Sequence, residues 1–123
     1  MSVPRWLPPL LWAGVIVFAT SVPAPFVPRR LAAIDKVIHF AMYAVFAALV
    51  TRYVLNGRQR LRLALLSIAG VAVFGALDEW HQRFIPGRST EFGDWVADST
   101  GGVAGALVVS LLVARHVRLQ QLT

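Results

Sequence analysis

In "DKVIHFAMY" (residues 35–43), Asp35, His39 and Tyr43 fall four apart, so on a helix they share one face, with Lys36 beside it. In "DEWHQRFIPGRSTEFGDWVAD" (78–98), Asp78 and Gln82 share a face with Glu79 adjoining, and Asp94 and Asp98 are again four apart. Residues 74–98 hold five of the protein's six carboxylates. Acid–base hydrolysis needs two titratable groups whose pKa values are driven apart. His39 with Asp78 or Glu79 could meet that need, and these three are the candidate catalytic residues. A metal site needs converging imidazole and carboxylates, which His39, Asp78, Glu79 and Asp94 could supply. No compact motif such as H-E-x-x-H occurs, so no metal and no other cofactor is assigned. Ser89 and Ser99 stand in no nucleophile motif. In "IPGR", Pro86 and Gly87 suit the central positions of a type II turn that folds Arg88 back toward the helix ends. There Arg88, with Lys36, could clamp a phosphate or carboxylate. Tyr43, Gln82, Asp94 and Asp98 complete the candidate ligand-binding set.

Each of these residues has a plainer use. Asp35 and Asp94 stand where helix N-caps belong. Tyr43 suits an interfacial anchor, and His39 a satisfied core imidazole. Asp78 with Lys36, or Glu79 with Arg83 or Arg88, could form structural ion pairs. Arg88 could also snorkel to anionic lipid, His81 could face headgroups, and Trp80 and Trp95 suit an interfacial belt.

The elements that carry these residues are apolar. Of 123 residues 57% are hydrophobic and 15% charged, against about 25% charged in soluble domains. Too few charges remain to coat a water-soluble globule, whereas lipid-facing helices need no such coat. The net charge is +6 and the pI about 11.4, almost wholly from arginine. Beside hydrophobic spans, such charge points to lipid headgroups and topology control and not to nucleic acid. With no cysteine, disulfides and thiol chemistry are excluded.

Four stretches predict spans, at roughly 6–22, 36–55, 61–82 and 95–114. The first, preceded by Arg5 and ending in "VPAP", could also be read as a signal peptide. The expected fold is an all-α, polytopic four-transmembrane-helix bundle forming one domain over residues 1–123. With both termini inside, the inner side carries Arg5, Arg52, Arg58, Arg60, Arg62, Arg115 and Arg118. The outer side carries Arg29, Arg30, Lys36, Arg83 and Arg88. The bias favours N-in/C-in and puts every carboxylate at the outer end. The Pro-rich "SVPAPFVPRR" connection is expected to run extended. Gly101 and Gly105 form a G-x-x-x-G pair that permits close helix approach, within one bundle sooner than across a dimer seam; Ala72 and Ala76 share that spacing.

"DKVIHFAMYAVFAAL" (35–49) followed by "DEWHQRFIPGRSTEFGDWVADSTGGVAG" (78–105) resembles the VanZ-like family of small bacterial membrane proteins. The shared pattern is D-K-x-x-H-F-x-x-Y, then D-E-x-x-Q-x-F-x-P-G-R, then D-x-x-x-N-x-x-G. By position it marks Asp35, Lys36, His39, Phe40, Tyr43, Asp78, Glu79, Gln82, Phe84, Pro86, Gly87, Arg88, Asp94 and Gly101. Asp98 departs from the pattern, which usually has an amide there, and so changes the charge of the pocket. The resemblance implies a multi-pass protein of the cell (plasma) membrane in the bacterial envelope, with a link to susceptibility to teicoplanin, a lipoglycopeptide.

Three functions compete. The favoured one is an outward polar pocket that binds an anionic lipid headgroup or lipid-linked envelope precursor. The second is an intramembrane hydrolase or transferase acting on such a lipid. The third is a packing or partner-binding module. Membrane lipids are the expected partners, nucleic acid is not, and the oligomeric state stays open.

Overall fold

The structure, a computed structural model, describes residues 3–55 and 60–122. Its long elements are α1 (Leu7–Thr20), α3 (Asp35–Val54), α4 (Arg60–Gln82) and α5 (Phe92–Gln120). Between α1 and α3 lie a 3-10 turn (Ala24–Phe26) and the short α2 (Arg29–Ala33). The chain is a four-helix membrane bundle, all-helical among the described residues. Arg58, assigned above to the inner side, lies outside them.

Three helices, α3, α4 and α5, are long and apolar enough to cross a bilayer. With 14 residues, α1 is shorter than expected. Prolines 8 and 9 are tolerated in its first turn, where N–H groups have no helical partner anyway. Pro23 stops it, because the residue before a proline is pushed out of helical geometry. Conversely, α5 has 29 residues, about 43 Å at 1.5 Å per residue. The expected boundary at Ala114 marks where apolarity ends, not the helix, which continues through Arg115 and Arg118 past the roughly 30 Å hydrocarbon layer. The Pro-rich connection is not extended. It folds into the 3-10 turn and α2, and the Ala24 amide donates to the Pro86 carbonyl at 3.1 Å.

The tightest pairing joins α3 and α5. A Cβ at Gly101 would run into the carbonyl of Phe40, and one at Gly105 into that of Ala44. The G-x-x-x-G pair therefore lets two backbones of the same chain touch, as close helix approach in lipid requires. On the other side α4 packs against both helices, while α1 rests on α3 and more lightly on α4. The outer surface is covered by exposed apolar side chains such as Leu10, Phe18, Leu61, Leu66 and Leu111.

Candidate functional site

Chain direction alternates along the bundle, so the end of α1, the start of α3, the end of α4 and the start of α5 meet. There Thr20, His39, Tyr43, Asp78, Glu79, Gln82, Asp94 and Asp98 are all buried. The i,i+4 spacings read above therefore converge on one volume.

His39, 1% exposed, is held between two carboxylates. Its Nδ1 lies 2.7 Å from Asp98 Oδ1, and its Nε2 lies 3.7 Å from Asp35 Oδ2. Asp78 accepts from three helices: Thr20 Oγ1 at 2.8 Å, Tyr43 Oη at 3.3 Å and Gln82 Nε2 at 3.4 Å. Gln82 Nε2 also reaches Glu79 Oε1 at 3.5 Å. Glu79 Oε2 and Asp98 Oδ2 are buried and have no hydrogen-bond partner among the described residues.

Several plainer readings give way here. Lys36 donates to Glu91 Oε2 at 2.7 Å and Asp94 Oδ1 at 3.0 Å, not to Asp78. The ammonium holds the Glu91 carboxyl below the usual carboxylate range, first through the hydrogen bond and then through its charge. Neither Asp35 nor Asp94 caps a helix: Ile34 and Glu91 hold the N-cap positions, and each Asp lies in a first turn, where a negative charge suits the helix dipole. Tyr43 is fully buried and not an interfacial anchor. Glu79 pairs with neither Arg83 nor Arg88 among the described residues. His81 Nε2 sits 3.0 Å from Ser21 Oγ, and Trp95 donates to the Ala72 carbonyl at 3.0 Å. Trp80 stays exposed.

The turn at Pro86–Gly87 forms as its residues require. Gly87 has φ +74°, and the Arg88 amide donates back to the Ile85 carbonyl at 3.1 Å. Arg88 does fold toward the helix ends, but Nε and one terminal nitrogen donate to the carbonyls of Val22 (3.0 Å) and Ala19 (3.3 Å). Part of the fork expected to clamp an anion thus satisfies carbonyls at the end of α1, and further N–H donors remain.

Two cavities beside this cluster share lining residues. The first, about 340 Å³, lies between α1, the 22–34 connection and α3; its wall is mainly apolar (Phe18, Phe26, Leu31, Ile38, Met42) and ends at Asp35, His39 and Arg88. The second, about 170 Å³, is lined by Asp35, Gln82, Arg88, Ser89, Glu91 and Asp94. Asp35 and Arg88 line both. A buried imidazole between carboxylates can relay a proton or join a cation site, and the adjoining cavities can take a molecule with an apolar body and a polar head.

A family model described as VanZ/LLP1 matches residues 6–113. The chain belongs to the VanZ/LLP1 family. Neither the curated proteins nor the solved structures give a match. The matched region covers more than the motifs in α3–α5: it includes α1, which supplies Thr20 to Asp78. Sequence reasoning missed Thr20. A single hydroxyl near the end of an apolar run carries no spacing signal, and only its level, immediately before the Pro-rich connection, hints at its place. Within this VanZ/LLP1 chain, Asp98 is fully buried against His39.

Proposed function

We propose that this VanZ/LLP1 membrane protein binds a membrane amphiphile, its apolar body in the larger cavity and its polar head in the smaller one. The observation that carries the reading is that Asp35 and Arg88 line both cavities, which sets an apolar wall and a polar wall side by side for one molecule. The polar wall mixes the Arg88 guanidinium with acceptors on Asp35, Glu91 and Asp94. It suits a head with an anionic phosphate beside Arg88 and hydroxyl or amine donors facing the carboxylates, as in a lipid-linked envelope precursor. The arginine distribution favours N-in/C-in, which opens this end to the outer leaflet of the plasma membrane. Holding such a lipid is the route by which the protein would alter lipoglycopeptide susceptibility.

Native mass spectrometry of the detergent-extracted protein tests the reading. A lipid should accompany the wild-type chain and be lost from Arg88→Ala. It should also be lost from Leu31→Trp, which fills the apolar cavity and removes no polar group. The reading fails if wild type carries no lipid or if both variants keep it. In the same cysteine-free chain, Ser89→Cys should react with an impermeant maleimide on intact cells. Reaction only after lysis would reverse the orientation.

A further inference from the structure

Thr51 Oγ1, Ser99 Oγ, Glu79 Oε2 and Asp98 Oδ2 are buried oxygens without partners among the described residues, and the last two, both carboxylate oxygens, belong to the cluster. Glu79 is 8% exposed and Asp98 0%. A carboxylate oxygen removed from water and left without a donor or a cation is costly. Among the described residues no lysine or arginine bonds either oxygen: Lys36 pairs with Glu91 and Asp94, and the bonds of Arg88 go to backbone carbonyls. Thr20, Tyr43 and Gln82 together satisfy Asp78, and of these only Gln82 also reaches Glu79, at the oxygen opposite the orphan. His39 alone faces Asp98, again at the oxygen opposite the orphan.

We propose that His39, Glu79 and Asp98 hold a divalent transition-metal ion, zinc or manganese. One ligand atom from each lies within 4.8 Å of the other two, and all three residues are buried. Neighbouring ligands around such an ion stand roughly 3–3.5 Å apart, so small side-chain rotations close the site. One imidazole and two carboxylates form a mixed nitrogen–oxygen set that suits zinc and manganese better than all-oxygen magnesium or thiolate-bound metals. Nδ1, the nitrogen facing Asp98, is the ligand. Nδ1 gives up its hydrogen bond to Asp98 on binding the ion, and Nε2 then carries the proton on the side of Asp35, whose Oδ2 stands 3.7 Å away, near enough for its charge to favour that tautomer. Gln82 holds Glu79 from behind through Oε1, at 3.5 Å. A second group, Asp35, His39 and Asp94, also converges, but Asp94 already accepts from Lys36 and Asp35 is half-exposed. Three protein ligands leave coordination positions open, as sites that also bind an outside molecule do. The site stands whether or not an amphiphile fills the neighbouring cavities.

The test uses the full chain in detergent, stripped with chelator and reloaded with Zn²⁺ or Mn²⁺ alone, with Mg²⁺ as comparator. Elemental analysis after desalting should find one zinc or manganese per chain and far less magnesium. Glu79→Gln and Asp98→Asn should each bind at least about tenfold more weakly, while His81→Gln and His116→Gln match wild type. Wild type retaining no more metal than a buffer control would overturn the proposal, as would both carboxamide variants binding as tightly as wild type. If those variants do not fold, electron paramagnetic resonance of Mn²⁺-loaded wild type decides. Coupling to one imidazole nitrogen, retained in the His81→Gln, His116→Gln double variant, supports the site, and its absence removes it.

Discussion

At the end of the bundle where α1 finishes and α5 begins, the buried side chains are Thr20, His39, Tyr43, Asp78, Glu79, Gln82, Asp94 and Asp98. Toward the other end they are Ile16, Phe46, Ala47, Val71 and Ala106, with Thr51 and Ser67 the buried polar residues. The same helices supply both regions. In lipid, the apolar region gains nothing from hiding hydrocarbon, since its surroundings are hydrocarbon too, and it holds together through shape. Phe46 meets Phe74 at a centroid distance of 4.9 Å and Tyr43 edge-on at 6.3 Å. The polar region must instead satisfy its donors and acceptors internally, so its geometry is dictated by chemistry and not by volume alone. Ser67 shows the contrast: its hydroxyl bonds back to Leu63 of its own helix at 2.8 Å and ties nothing together. Thr20 at the charged end also lies 2.9 Å from the Ile16 carbonyl of its own helix, but its hydroxyl stands 2.8 Å from Asp78 on another.

The comparison can be broken most severely at the seam that both regions share. Gly105→Leu drives a side chain into the α3 backbone at Ala44 and should cost about 3 kcal/mol or more, or prevent folding, as read by unfolding in mixed micelles. Next, Asp78→Ala strands the Tyr43 hydroxyl, leaves Thr20 with the Ile16 carbonyl and Gln82 with Glu79 Oε1 as acceptors, and should cost about 2 kcal/mol. Phe46→Leu, deep in the apolar region, should cost about 1 kcal/mol. A larger loss at Phe46 than at Asp78 would reverse the contrast. The smallest effect belongs to the exposed rim. Glu91 has a depressed folded-state pKa, so its contribution is present above the unfolded value, about 4.3, and fades as pH falls through the lower folded value. Glu91→Gln should therefore lower Tm slightly near neutral pH, and the difference should vanish in acid. A difference that persists in acid would assign the effect to packing.

The helices and the charged cluster were legible because lipid simplifies the code. Apolar runs give the spans, and carboxylates inside them stand out at fixed spacings. The seam was legible too, as Gly101 and Gly105 admit few uses on an apolar helix. The ends of α1 and α5 were less so, because hydropathy reports solvent and not hydrogen bonding: α5 stays helical through Arg115 and Arg118 long after it stops being greasy. Partner choice was the least legible. Lys36 had Asp78, Asp94 and Glu91 in reach by level alone, and only the rotation of α5 about α3, set by the glycines, brings it to the last two. Arg88 was placed correctly at the helix ends, but a sequence does not show which carbonyls lie bare there.

The link from the Ala24 amide to the Pro86 carbonyl, with Arg88 bridging to Val22 and Ala19, stitches two loops into one roof over the charged end. Beneath its eave, Phe18 and Phe26 stand open on the flank, each 76% exposed, at the mouth of the larger cavity. Under the proposed function, an amphiphile would meet these rings from the side of the bundle before its head reached Asp35 and Arg88.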